Sequence, residues 1–191
     1  MSRTACGLLV VCSLVVISAL TVTGTRAATL TITLDAGTVP ASVVNGGDPW
    51  NEAGITMYFV PTTIDDCTDG SCFFGLGGLD PNGVDLYPAR LYVDLSGVPG
   101  QFESAEVDVI DYCGKYCTRA ILYDGPLYVG GESNTTVGVL ETLSATAGGD
   151  PVDYLAVSSC EGVVLEIRIQ YQVPVPVEAS TWGGIKALFG D

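Results

Sequence analysis

A chain of 191 residues with 48% apolar side chains is long enough for one domain with a sizeable core, and its formal charge of −15 disfavours nucleic acid and anionic lipid surfaces. The absence of histidine removes Ser-His-Asp and Cys-His catalysis, the usual histidine zinc sites and pH sensing by imidazole. What the charge favours is solubility and an accumulation of cations, calcium first among them outside a cell.

In chain order, Arg3 precedes an uncharged, mostly apolar run from Thr4 to Thr25, followed by Thr25-Arg26-Ala27-Ala28. This predicts a secretory signal peptide over 1–27, cut after Ala27. Beyond it no apolar stretch approaches the roughly 20 residues of a membrane helix, so the expectation is a secreted or cell-surface protein without a transmembrane span.

Thr29 to Asp35 alternates strictly, with Leu30, Ile32 and Leu34 on one face, and predicts a half-buried strand. Ala36 to Gly54 reads as a long surface loop rich in Gly, Pro, Asn and Asp, and Ile55 to Val60 returns to strand composition. Pro61 to Pro88 is the least regular part of the core domain. Further strands are predicted over Arg90–Leu95, around Ala105–Val109, over Arg119–Tyr123 and Leu127–Val129 as a hairpin about Asp124-Gly125-Pro126, then over Val137–Leu143, Tyr154–Val157 and Val163–Val173. That gives about nine strands and no helix: an all-β, antiparallel two-sheet sandwich, jelly-roll-like, over 28–173. Edge strands on so acidic a domain predict a monomer.

Residues 174–191 break the pattern. Prolines 174 and 176 extend a linker, after which Trp182, Ile185, Leu188 and Phe189 recur at helical spacing and predict a docking or sorting tail.

Seven cysteines agree with export: Cys6 and Cys12 leave with the signal, and Cys67, Cys72, Cys113, Cys117 and Cys160 remain. Short loops separate Cys67 from Cys72 and Cys113 from Cys117, so two local disulfides are expected, with Cys160 a buried apolar thiol. The rival pairing joins Cys160 to Cys113 or Cys117. Zinc on the first four is disfavoured by their spacing and by an oxidising compartment.

Acidic residues offer metal candidates. Asp65, Asp66 and Asp69 crowd one loop, and Asp80, Asn82 and Asp85 surround Gly83 like part of a calcium loop without its distal glutamate. A glycosidase pair built on Glu161 with Glu52 or Asp94 is conceivable, yet carboxylates are so abundant that they diagnose nothing, and catalysis is not expected. Trp50, Tyr58, Tyr87 and Tyr92 are the candidate sugar platform, because aromatic rings stack on the apolar faces of sugars. Asn134-Thr135-Thr136 fits a glycosylation sequon.

The order of elements from Ile55 to Tyr171 resembles the galactose-binding-like or carbohydrate-binding jelly-roll domains of exported bacterial proteins. The resemblance implies a structural calcium between loops at one end of the sandwich, with Glu52 and Glu161 at the matching positions. The tail is similar to the short Thr-Trp-Gly-x-Ile-Lys-x-Leu endings of exported proteins of environmental bacteria, and departs from Pro-Glu-Pro sorting signals, which add a membrane helix and a basic end. The expected function is non-catalytic recognition of a glycan or surface component with calcium as a structural ion. The rival is a structural subunit of a cell-surface or extracellular assembly attached through its tail.

Overall fold

A computed structural model describes residues 24–35, 37–40, 48–61, 78–80, 83–86 and 89–175. Twelve strands occupy them: β1 (Gly24–Thr33), β2 (Trp50–Glu52), β3 (Ile55–Pro61), β4 (Gly78–Asp80), β5 (Gly83–Leu86), β6 (Ala89–Asp94), β7 (Gln101–Asp111), β8 (Arg119–Asp124), β9 (Leu127–Ser133), β10 (Leu140–Thr146), β11 (Tyr154–Ser159) and β12 (Gly162–Val175). A 3-10 turn at Leu95–Gly97, capped by the Asp94 carboxylate, is the helical element among the described residues. None of the described residues forms a helix long and apolar enough to cross a membrane.

Two sheets form. Sheet I runs β10-β7-β12-β5-β4, with β1 also paired to β12, and sheet II runs β2-β3-β6-β11-β8-β9. The registered pairings are antiparallel. The chain is thus an all-β antiparallel sandwich, as its period-two runs predict. The strand count rises from nine to twelve because β2, β4 and β5 are only three or four residues long, too short for alternation to register.

The alternation decides which side chains meet. On β6, Ala89, Leu91 and Val93 are fully buried while Arg90, Tyr92 and Asp94 face out. Across the gap, Ala105, Val107 and Val109 of β7 and Ile167 and Ile169 of β12 close the same core, together with Ile55, Met57, Leu122 and Leu155. Burying each of these aliphatic side chains stabilises the fold by about 1.5–3 kcal/mol, which is why the two layers face each other rather than water.

Two turns fix the edges of sheet II. Ala53 (φ 52°) and Gly54 (φ 86°) join β2 to β3 in a two-residue loop of left-handed backbone, with the Gly54 N–H donating to Asn51 Oδ1 at 3.1 Å. Gly125 (φ 53°) and Pro126 join β8 to β9, and the Gly125 N–H donates to the Asp153 carboxylate at 2.7 Å. Beyond this turn a bulge shifts the register, so that Leu122 lies opposite Gly130 and Tyr123 opposite Tyr128.

β10 is displaced toward the C-terminus of the run predicted for it. Val137 and Val139 are exposed in the approach to the strand, where the Gly138 N–H donates to the Asp111 carbonyl at 2.6 Å. Gly138 takes left-handed backbone (φ 72°), and this long-range hydrogen bond to the β7 terminus overrides strand propensity there.

Candidate binding face

The outward positions of sheet II carry an unbroken row of tyrosines, and the register dictates it. Tyr58 on β3 lies directly opposite Tyr92 on β6, Tyr154 on β11 lies opposite Tyr123 on β8, and Tyr123 lies opposite Tyr128 on β9. Direct partners in an antiparallel ladder share a face. One diagonal step joins the two groups, because Tyr92 is opposite Ala156, two residues along β11 from Tyr154. The small, covered Ala156 leaves room for that step.

The rings touch in sequence. Tyr58 and Tyr92 stack at 5.2 Å between centroids and 13° between planes, Tyr92 meets Tyr154 edge to face at 5.2 Å and 61°, and Tyr154 stacks on Tyr123 at 5.1 Å and 18°. Near-parallel rings at such separations are slipped rather than eclipsed, so parts of the ring faces and the hydroxyl edges stay uncovered. Each ring contact is worth about 0.5–1.5 kcal/mol beyond area burial, which favours this arrangement of the row before any ligand arrives. Tyr128, a residue 64% exposed, extends it.

Polar groups border the row. Arg90 sits over the Tyr92 ring at 5.9 Å, and its Nη1 donates to the Tyr92 hydroxyl at 3.2 Å. The Tyr154 hydroxyl donates to the Gly125 carbonyl at 2.9 Å, tying the ring to the β8–β9 turn. Thr56 and Asp94 face each other in the same row as Tyr154. Burial raises the Tyr58 hydroxyl above its ordinary pKa, helped by Tyr92 and the Asp94 charge. Burial likewise raises Tyr154, with its tyrosine neighbours adding and Arg90 opposing. The Tyr154 hydroxyl gives its one proton to the Gly125 carbonyl and keeps lone pairs to accept, whereas the Tyr58 hydroxyl can donate or accept.

Of the four aromatic residues singled out from sequence, Tyr58 and Tyr92 stand in this row and Tyr87 lies outside the described residues. Trp50 does not belong to the surface. It is 8% exposed in the core, stacked on Phe59 at 5.6 Å and 12°, and its Nε1–H is buried with no hydrogen-bond partner. Its strand parity explains the correction: Trp50 pairs with the inward-facing Met57. Sequence reasoning missed Tyr123, Tyr128 and Tyr154. Their outward parity was visible in the alternation, but placing them beside Tyr92 requires the strand order β6-β11-β8-β9, which no local pattern contains.

The acidic candidates separate. Asp65, Asp66, Asp69 and Asn82 lie outside the described residues, as does the side chain of Asp80, and Asp85 is half-buried on β5 opposite Val163. Glu52 stands at the end of sheet II where Thr56, Asp94 and Tyr154 align, whereas Glu161 follows Ser159 at the opposite end, beside Ala89. Five residues of extended strand, roughly 17 Å, lie between those ends. Calcium holds its oxygens at about 2.3–2.6 Å, and a glycosidase pair spans at most about 9.5 Å. Glu161 therefore shares neither an ion nor a reaction centre with Glu52 or Asp94.

The cysteines also depart from expectation. Cys113 and Cys117 are not bonded to each other. Instead the sulfurs of Cys113, Cys117 and Cys160 lie within 4.8 Å of one another, the sole group of three such ligand atoms among the described residues. Cys160 is buried, but in that company, and it is not the lone free thiol expected. The cause is a polar knot. The Asp111 carboxylate accepts from the N–H groups of Cys113 (3.0 Å) and Gly114 (2.8 Å) and from the Thr118 hydroxyl, while Thr118 reaches Ser159 at 2.8 Å and so brings the β7–β8 loop onto the β11–β12 turn. Asn134 belongs to the same knot. Fully buried, it accepts from the Thr118 N–H at 2.9 Å and donates to the carbonyls of Gly114 and Thr136, so the sequon is structural in the folded chain. Cys67 and Cys72, with their expected bridge, lie outside the described residues, as do the signal segment and the tail residues Trp182, Ile185, Leu188 and Phe189.

Fold and face together define a two-sheet β-sandwich with a preformed aromatic surface on one sheet. No protein-family model matches the chain, and no curated protein matches it. Among solved structures it is similar to family 29 carbohydrate-binding modules. One mutant of the module CBM29-2 has a TM-score of 0.38 and 14% identity, over 76% of this chain and 92% of that one. A carbohydrate-binding module of family 29 gives 0.37 and 13%, over 76% and 89%. A CBM29-2 mutant complexed with cellulohexaose gives 0.37 and 13%, over 76% and 92%. Superpositions this loose carry no argument about the ligand of this chain.

Proposed function

We propose that this chain is a non-catalytic glycan-recognition domain that acts outside the cytoplasm and binds through the outer face of sheet II. The observation that carries the reading is the row Tyr58-Tyr92-Tyr154-Tyr123, in ring-to-ring contact across four adjacent strands and continued by Tyr128. Its rings offer apolar faces to the C–H side of sugars, while their hydroxyls, Thr56, Asp94 and Arg90 offer donors and acceptors to sugar hydroxyls. A linear chain lying across the strands meets one ring at each step. A glycan array with the full chain tests this: wild type binds linear oligosaccharides, and Tyr92→Ala with Tyr154→Ala, less stable for its lost ring contacts but still folded by circular dichroism, loses them. Binding unaffected by the double variant overturns the reading.

Export rests on the apolar leader and the small residues before Ala28. N-terminal sequencing of protein recovered from the medium, beginning at Ala28, is the expected result. A structural calcium rests on the crowded carboxylates between Asp65 and Asp85, and a melting temperature indifferent to calcium and chelator removes it. One observation favours the rival reading of an assembly subunit. Tyr112 and Tyr116 (52% and 60% exposed) lie on the β7–β8 loop, which hydrogen bonds fasten to the segment bearing the exposed Val137, Val139 and Leu140. Self-association or pull-down that Tyr116→Ser with Leu140→Ser abolishes is the outcome that reading requires.

A further inference from the structure

A cleft of about 240 Å³ opens at the far end of sheet I, remote in function from the tyrosine row and built from different strands. Phe102 contributes its apolar part, and Gln101 and Gln172 face each other across the β7–β12 ladder at its side. Glu103 is the extra residue of a bulge. Ser104 pairs with Gln170 and Phe102 with Tyr171, which leaves Glu103 outside the ladder register. Bulges of this kind re-aim a side chain, and here the Glu103 carboxylate accepts from Gln172 Nε2 at 2.8 Å. The opposite lip is Gly148 (φ 64°) and Gly149 (φ 98°), whose left-handed backbone carries no side chain to fill the opening. The Ala147 N–H donates to the Glu103 carbonyl at 3.1 Å and holds that lip against the bulge.

The chemistry of the lining selects a ligand class. Two carboxamides and one carboxylate supply several acceptors and donors around an apolar patch, a set suited to adjacent hydroxyls on a small ring. The single charge is negative and disfavours anions. The volume falls below the 300–1,000 Å³ or so of typical small-molecule pockets, which suits one ring and excludes an oligomer.

We propose that this cleft is a second binding site, for a single uncharged sugar ring, independent of the tyrosine row. It rests on the glycan-recognition reading for its ligand class but not for its residues. The test is amide NMR of the full chain titrated with the methyl glycosides of glucose, galactose and mannose. At least one probe is expected to shift the amides of residues 101–103, 147–149 and 172. The shifts persist in Tyr154→Ala, and affinity falls tenfold or more in Glu103→Gln and in Gln101→Ala. Gln101 is exposed, so the second variant reports on binding where the first disturbs the bulge. No shift with any of the three glycosides overturns the proposal, as does binding abolished by Tyr154→Ala. A marked preference for protonated glucosamine that vanishes with salt overturns it as well, because the cleft is then a cation site. Oligosaccharide binding by the tyrosine row with a silent cleft defeats this inference alone, whereas a silent row with an active cleft defeats the reading of sheet II alone.

Discussion

The two outer faces of the sandwich solve the same problem in opposite ways. On sheet I, Arg168 of β12 lies among three carboxylates: Asp108, met through Nη1 and Nη2 at 2.8 Å each, Glu106 at 3.0 Å and Glu166 at 2.6 Å. Thr142 adds its hydroxyl to Asp108 at 2.7 Å. These groups satisfy one another, so the face is bound up in its own structure. On sheet II the outward side chains are rings that stack with a slip, and stacking consumes neither their hydroxyls nor all of their faces. A network of charges stabilises; a row of rings stabilises and still has surface to offer a partner.

Breaking the aromatic side is expected to have the largest effect. Tyr92→Ala interrupts the row at its diagonal step, and a loss of about 2 kcal/mol, roughly 30-fold in glycan affinity, is expected by calorimetry. An unchanged affinity equates the two faces. Breaking the charged side gives the complementary result. Arg168→Gln leaves Glu106, Asp108 and Glu166 beside one another without their shared cation, and urea denaturation is expected to show a loss of about 1–2 kcal/mol with glycan affinity intact. Arg168 retains 25% side-chain exposure, so solvent screens part of the network, and salt is expected to shrink the difference.

Acid sharpens the same contrast. The hydrogen bonds from Arg168 are the main cause holding the Asp108 carboxyl below its usual range, with partial burial opposing them. For Glu141, partial burial pushes the carboxyl up but is outweighed by the hydroxyls and N–H groups of Thr136 and Thr135, which leave it at about 2. A carboxyl depressed in the folded state contributes stability above its unfolded pKa and loses it as pH falls through the folded one. Stability is therefore expected to decline from about pH 4.5 toward pH 2, and to decline less steeply in Arg168→Gln. The tyrosine row contributes nothing to that slope. A pH-stability profile identical in wild type and variant contradicts the role given to Arg168. The smallest effect belongs to Trp50→Phe. Losing the indole's extra packing is offset by removing a buried N–H that has no acceptor, so stability changes by less than about 1 kcal/mol and binding not at all.

What could be read from the sequence follows the range of the interactions. Alternation on Ala89–Asp94 and Ala105–Val109 assigned strands and their buried faces, because side-chain direction along a strand is a local property. The β8–β9 hairpin was legible in Asp124-Gly125-Pro126 for the same reason. The tyrosine row was only half legible. Tyr58 and Tyr92 stood out by type, yet their union with Tyr154 and Tyr123 depends on β11 inserting between β6 and β8, a pairing across more than thirty residues. Trp50 was misassigned because a three-residue strand has too few positions to reveal its parity. The sulfur group was hidden in the same way, since Asp111, Thr118 and Ser159 meet only after β7, β8 and β11 are in place.

The central claim is that the outer face of sheet II, and not that of sheet I, receives the glycan chain. NMR of the tyrosine ring resonances of the full chain, titrated with a linear oligosaccharide taken from the array, addresses it directly. Shifts confined to Tyr58, Tyr92, Tyr123, Tyr128 and Tyr154, with the Arg168 guanidinium unmoved, are the predicted result. Binding that shifts Arg168 and the β7 and β12 amides around it while the five rings stay still contradicts the account.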